Sequence, residues 1–223
     1  MQAAEILGIA WLSVRVALAA SLLNLIPGMA LAYLLARRRF AGRSLVEAIV
    51  SLPLVLPPVA VGLVLLLTFS RRGLLGGALE SAGIPILFTW RGAAIASAVM
   101  SFPLLVRAAQ QAFAEVPARL EEIARTLGAT RLRTFWSVSL PLARRGVAYG
   151  LLLAFLRAMG EFGATNLVAG NIPGRTRTLS MGIYSAVQAS RDSDALALAA
   201  VSAAVSLVAV VLGERYLRAR RSA

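Results

Sequence analysis

Five long apolar stretches decide what this chain can fold into: about Ile9–Leu35, Val46–Phe69, Gly92–Phe113, Val147–Val168 and Ala195–Leu212. As a helix, each is long enough to cross about 30 Å of hydrocarbon. Of the 223 residues, 59% are hydrophobic and 15% charged, whereas a soluble domain is about 45–50% apolar and about a quarter charged. Folded as one water-exposed globule, the chain would leave too much apolar surface wet. The expectation is an all-α polytopic membrane protein, a single transmembrane domain over residues 1–223 with five spans.

The formal charge of +13 comes entirely from arginine, since lysine is absent. Fifteen of the 23 arginines fall in three segments: Arg37–Arg43 after the first stretch, Arg107–Arg145 around the third loop, and Arg215–Arg221 in the tail. Six lie in the alternate loops, and Arg15 and Arg157 lie inside spans. By the positive-inside rule this predicts an outside N-terminus and a cytoplasmic C-terminus. It also accounts for the basic charge without nucleic acid. No arginine precedes residue 15 and the basic cluster follows the apolar run, so the first stretch reads as a retained span, not a cleaved signal.

With no His, Cys or Lys, the chain has no imidazole or thiolate metal site, no thiol nucleophile and no phosphate-gripping lysine. An intramembrane enzyme would have to use Arg157, Glu161 and Asn166. A carboxylate dyad needs two acids, and Glu161 is alone at depth. No cofactor is expected on this chain, and any ATP would be bound by another.

The loop of about 33 residues between the third and fourth stretches, 114–146, is patterned. Leu120, Ile123 and Leu127 recur at helical spacing, with Arg119, Glu121, Glu122 and Arg125 on the other faces. Gly128 suits a helix C-terminus, and a second basic stretch runs to Pro141, where a turn into the next span is expected. A helix, glycine, helix hairpin of this kind fits either an anionic lipid surface or a soluble partner.

Glu122-Ile123-Ala124, Gly128 six residues after the glutamate, then Val138, Leu140 and Pro141 match the pattern E-A-A-x3-G-x9-I-x-L-P, with Ile123 and Val138 as substitutions. This resembles the cytoplasmic loop of permease subunits in bacterial ATP-binding-cassette (ABC) importers. The resemblance implies a type I importer permease fold whose short helix sits in a groove of a separate ATPase. Its coupling residues would be Leu120, Glu121, Glu122, Ala124, Leu127, Gly128 and Pro141, with Glu121 or Glu122 anchoring the helix. ATP and Mg would sit on the ATPase.

A narrower resemblance covers nearly the whole chain. Ser51-Leu52-Pro53-Leu54-Val55-Leu56-Pro57-Pro58-Val59, Gly160-Glu161-Phe162-Gly163-Ala164-Thr165, Asn171-Ile172-Pro173-Gly174 and Thr176-Arg177-Thr178-Leu179 are similar to the molybdate importer permeases. Tungstate and sulfate permeases share parts of this pattern. The resemblance implies a homodimer in a bacterial or archaeal inner membrane, two cytoplasmic ATPase subunits, an extracytoplasmic molybdate-binding protein, and import by alternating access. Members with an additional first span differ from this chain, which keeps the expected count at five.

Residue by residue, Pro53, Pro57 and Pro58 free carbonyls that must face protein or water, fitting either a kink or a gate. Gly160 and Gly163 suit close approach of another helix, such as one of the dimer mate. Arg157 and Glu161, four apart, read as a structural or gating pair, because a carboxylate repels an anionic cargo. Thr165 and Asn166 are uncharged donors suited to a path. Asn171, Arg175 and Arg177 are candidates for contact with the binding protein, or ordinary solvated polar groups.

Overall fold

The computed structural model describes residues 1–219; Arg220 and Arg221, counted above for topology, lie outside them. The described residues form helices joined by turns and loops, with no strand among them. In order the helices are α1 Ala3–Arg37, α2 Arg43–Val55, α3 Pro58–Phe69, α4 Gly76–Ser81, α5 Trp90–Glu115, α6 Ala118–Thr126, α7 Arg131–Thr134, α8 Leu140–Met159, α9 Gly163–Ala169, α10 Leu179–Gln188 and α11 Asp192–Ala219. A π-helical turn at Phe135–Ser139 joins α7 to α8 without a break. Four elements are long and apolar enough to cross a membrane: α1, α5, the continuous run Arg131–Met159, and α11. The fifth expected span is α2 plus α3.

Three expectations about helix continuity are corrected. The stretch Val46–Phe69 is not one helix: α2 and α3 meet at a bend of 109°. Leu56 precedes Pro57 and is forced out of the helical region, to φ −68° and ψ 143°. Pro58 then opens α3 at a position where no N–H is needed. Pro53, by contrast, lies inside α2 without ending it. The stretch Val147–Val168 is also divided, since α8 stops at Met159 and α9 starts afresh at Gly163. Finally, the chain does not turn at Pro141. The Leu140 amide bonds to the Phe135 carbonyl across the wider π turn, and Pro141 falls in the first turn of α8, so the proline is absorbed and the helix runs on.

Small side chains let the central helices touch. In lipid there is little hydrophobic force between helices, so close van der Waals packing has to hold them. Helix α5 packs against both α1 and α8. At the second crossing Gly146 and Gly150 of α8 face Ala112 and Ala108 of α5: a Cβ on Gly146 would lie 2.3 Å from that of Ala112, and one on Gly150 2.9 Å from that of Ala108. Ala17, Ala20, Ala93, Ala96, Ala109 and Ala154 are fully buried. The outward faces of α1, α3 and α11 carry exposed Leu18, Leu22, Ile26, Leu63, Leu67, Leu207 and Leu212. Such continuous apolar surface suits a hydrocarbon solvent.

Candidate functional site

Three regions hold the polar residues singled out above, at two ends and a middle level of the bundle. At the Gly128 end, α6 and α7 form the expected hairpin. Gly128 has φ +85°, its N–H bonds to Arg125 O and that of Ala129 to Ala124 O. This is the paired closure of a helix by a left-handed residue, which glycine adopts without strain. Thr130 then caps α7 by accepting from the Arg133 N–H.

The faces of α6 are set the opposite way to an ordinary surface helix. Glu121 is buried at 7% exposure, while Leu120, Ile123 and Leu127 are exposed, Leu127 by 82%. Glu121 Oε1 lies 2.8 Å from Arg37 Nη2 at the end of α1 and accepts from Ser139 Oγ at 2.7 Å; Tyr33 OH reaches Oε2 at 3.4 Å. Arg37 also donates to the Val116 carbonyl at 2.8 Å. Edge-on contacts of Tyr33 with Phe113 and Phe135 brace the same corner. Between the two candidate anchors the geometry selects Glu121 for this chain's own helices. Glu122 is exposed, alongside the apolar stripe. Leu132 and Trp136 extend that exposed apolar surface.

At mid-level the two interrupted helices meet. A Cβ on Gly163 would come within 2.8 Å of Pro58 Cβ, and one on Gly62 within 2.8 Å of Ala164 Cα, so α3 and α9 are in backbone contact. The close approach foreseen for Gly163 is therefore made to α3 of the same chain; Gly160 meets nothing nearer than the Leu156 carbonyl at 3.9 Å. Glu161 is 2% exposed. Its Oε2 lies 2.6 Å from Arg157 Nη1, and Oε1 accepts the Ala164 N–H at 2.9 Å. The carboxylate thus pairs with a cation and caps the start of α9, where negative charge is favoured. Thr165 is fully buried against Ser97, Oγ1 to Oγ 3.5 Å, so within this chain it faces a helix and not an open path; Asn166 is exposed. Pro53 lines an apolar cavity of about 360 Å³ with Asn24 and Phe102.

At the end opposite Gly128, the loop 170–178 is tied internally. Thr176 Oγ1 donates to the Gly170 carbonyl and accepts the Ile172 N–H, each at 3.0 Å. Arg177 Nε donates to Asn171 Oδ1 at 2.9 Å, and Asn171 Nδ2 donates to Ser185 Oγ. Of the three candidate contact residues, Asn171 and Arg177 therefore shape the loop, while Arg175 is exposed. Nearby, Arg71 holds the Glu80 carboxylate bidentately; these hydrogen bonds pull the Glu80 pKa below its ordinary 4.5. No cluster of three metal-ligating side chains occurs among the described residues.

A helical bundle with two interrupted helices and a capped hairpin offering an apolar stripe fits a membrane transport component. Residues 2–221 match the family of binding-protein-dependent transport system inner membrane components, and the chain belongs to that family. It is 44% identical to the molybdenum transport system permease protein ModB of Escherichia coli (strain K12), over 94% of this chain and 93% of that one. With the same permease of Haemophilus influenzae the identity is 40%, over 91% and 90%. A sulfate transport system permease protein, CysT of Salmonella typhimurium, is 40% identical over 86% of this chain and 69% of its own length. Among solved structures, a bacterial ABC transporter that imports alginate superposes with a TM-score of 0.75 at 20% identity, over 97% of this chain and 80% of that one. The resemblance read from the motifs is borne out: this is a multi-pass transport permease, and not an enzyme on its own.

Two features escaped the sequence reading. Arg37 looked like one member of a topology-setting cluster, yet it is the partner of Glu121, 84 positions away. Arg15, an isolated charge within a span, stacks on Trp90 at 4.0 Å. Only the misplaced charge itself signalled the second.

Proposed function

We propose that the chain is the permease subunit of an ATP-driven importer that moves molybdate, or a closely related oxyanion, into the cytoplasm by alternating access. The observation that carries the cargo is the match to two molybdenum permeases over nine-tenths or more of both chains. Sulfate permeases match with similar identity but over only about two thirds of their own length, which keeps sulfate as the second reading; tungstate, sharing charge and shape with molybdate, is a close variant of the first.

In this reading two copies of the chain form the path in a bacterial or archaeal inner membrane, N-terminus outside and C-terminus inside. Two cytoplasmic ATPase subunits bind ATP and Mg and receive the exposed stripe of Leu120, Ile123 and Leu127, with Glu122 and Ala124 beside it. An extracytoplasmic molybdate-binding protein delivers the anion near Arg175. Glu121 ties the docked helix to α1 and to the π turn, so motion of the ATPases reaches the spans. The junction of Pro57 and Pro58 with Gly163 and Glu161 is the gate, where interrupted helices can hinge without losing a long ladder of backbone bonds. Asn166 lines the path beside it.

The test is uptake by the reconstituted complex with radiolabelled molybdate, tungstate and sulfate. Molybdate uptake that depends on ATP and on the binding protein is expected; sulfate uptake without molybdate uptake would overturn the cargo. Gly128→Val, which forces a β-branched residue to positive φ, is expected to leave insertion intact while separating ATP hydrolysis from uptake.

A further inference from the structure

A cavity of about 750 Å³ opens at the end of the bundle opposite Gly128, between the first turns of α1, the start of α5 and the loop 173–177. Four arginines line it: Arg15, Arg91, Arg175 and Arg177. None of them is among the ion-paired arginines Arg37, Arg43, Arg71, Arg157 and Arg191. Arg177 spends one N–H on Asn171, and the Arg15 guanidinium lies over the Trp90 ring face, a contact that consumes none of its N–H donors. Glu5 is the one acid in the lining, so the cavity keeps an excess of three positive charges. Guanidinium groups present planar pairs of donors that match oxyanions.

The depth of the cavity narrows the ligand. Arg15 lies 22 residues from Arg37 along α1, about 33 Å at 1.5 Å per residue, or roughly one hydrocarbon thickness. If Arg37 marks one interface, Arg15 marks the other, and Trp11 and Trp90 in the same lining are the aromatic residues enriched at that level. A cluster of unpaired arginines there would be self-repelling unless an anion neutralised it.

We propose that this cavity is a binding site for a tetrahedral oxyanion group, held by Arg15 and Arg91 from the helices and by Arg175 and Arg177 from the loop. It rests on the reading above that this end is extracytoplasmic. Two sources share the chemistry: the free anion, concentrated at the entrance, or the phosphate of an anionic phospholipid in the outer leaflet. In either case Trp90 fixes the Arg15 guanidinium by stacking.

The experiment uses the full chain with its ATPase partner, comparing wild type with Arg15→Gln/Arg91→Gln and with the control Arg72→Gln, an exposed arginine outside the cavity. In nanodiscs of phosphatidylcholine alone, equilibrium dialysis measures binding of molybdate and of sulfate. In detergent with added phosphatidylglycerol, native mass spectrometry measures retained lipid. Loss of two charge-assisted contacts is expected to weaken binding at least about tenfold, with the control unchanged. A deficit in the dialysis arm identifies the free anion, and a deficit in retained phosphatidylglycerol identifies the lipid. Equal behaviour of wild type and double variant in both arms overturns the site. Arg175→Gln, at an exposed loop position, gives an independent reading should the helix variant lose its fold, and the same equality there has the same meaning. Reporter fusions at residues 42 and 80, expected inside and outside, test the orientation separately, and uptake tests the cargo.

Discussion

Replacing Glu121 with alanine tests whether the hairpin is anchored through its buried acid. The substitution removes the partner of Arg37 at 2.8 Å and of Ser139 at 2.7 Å; the 3.4 Å approach of Tyr33 adds little at that length. Breaking a buried pair from one side costs about 3–5 kcal/mol because the remaining charge is stranded. Here the side chains are 15% and 10% exposed and Arg37 keeps its bond to Val116, so about 3 kcal/mol is expected, on the order of 100-fold in an equilibrium constant. Hydrogen exchange of the α6 amides reads the change: protection should fall by that factor in Glu121→Ala and by less than about threefold in Glu122→Ala, a surface position. Arg37→Gln combined with Glu121→Ala should cost less than the sum of the two. Equal loss of protection in the two glutamate variants would refute the anchoring argument.

At the crossing of α5 and α8, Gly146→Val has to displace Ala112, and overpacking of this kind costs about 1–3 kcal/mol; a lowered midpoint of thermal unfolding in detergent is expected, relieved in part by Ala112→Gly. In the broken-helix junction, Arg157→Gln or Glu161→Gln alone strands a charge, and the double variant should be closer to wild type in stability and uptake than Glu161→Gln alone. A worse double variant would contradict the pairing. At the opposite end, the folded-state pKa of Glu80 is depressed by its hydrogen bonds to Arg71, so the stabilising contribution of that pair is present above the ordinary value of 4.5 and is lost as pH falls through the lower folded value. Protection factors of the α4 amides, which are corrected for the intrinsic pH dependence of exchange, should therefore fall under acid conditions in wild type and be less pH-dependent in Glu80→Gln.

The spans and the hairpin were legible because both rest on local signals: apolar length, a recurring stripe, and a glycine at the helix end. The interruptions were half legible. Pro57 and Pro58 announce a break, but the 109° bend depends on α3 settling against α9 through Gly62 and Gly163, contacts between residues about a hundred positions apart. Pro141 misled for a related reason. A proline ends a helix only if the preceding turn keeps its ordinary width, and the π turn at Phe135–Ser139 removes that condition. The sense of α6 was hidden because an apolar stripe rimmed with charge is the same pattern whichever face turns inward. The Arg37 to Glu121 contact decides it, and no local spacing encodes a contact of that range.

The uninterrupted run from Arg131 to Met159 has a mechanical meaning beyond its length of 29 residues. An α-helix of that size is about 43 Å of stiff rod, with the hairpin at one tip and Glu161 just past the other. A push delivered at the Gly128 end is therefore not dissipated in a flexible joint before the membrane. It would arrive as a tilt of the far tip, and the first break in the helical ladder beyond that tip is the three-residue gap at Gly160–Phe162.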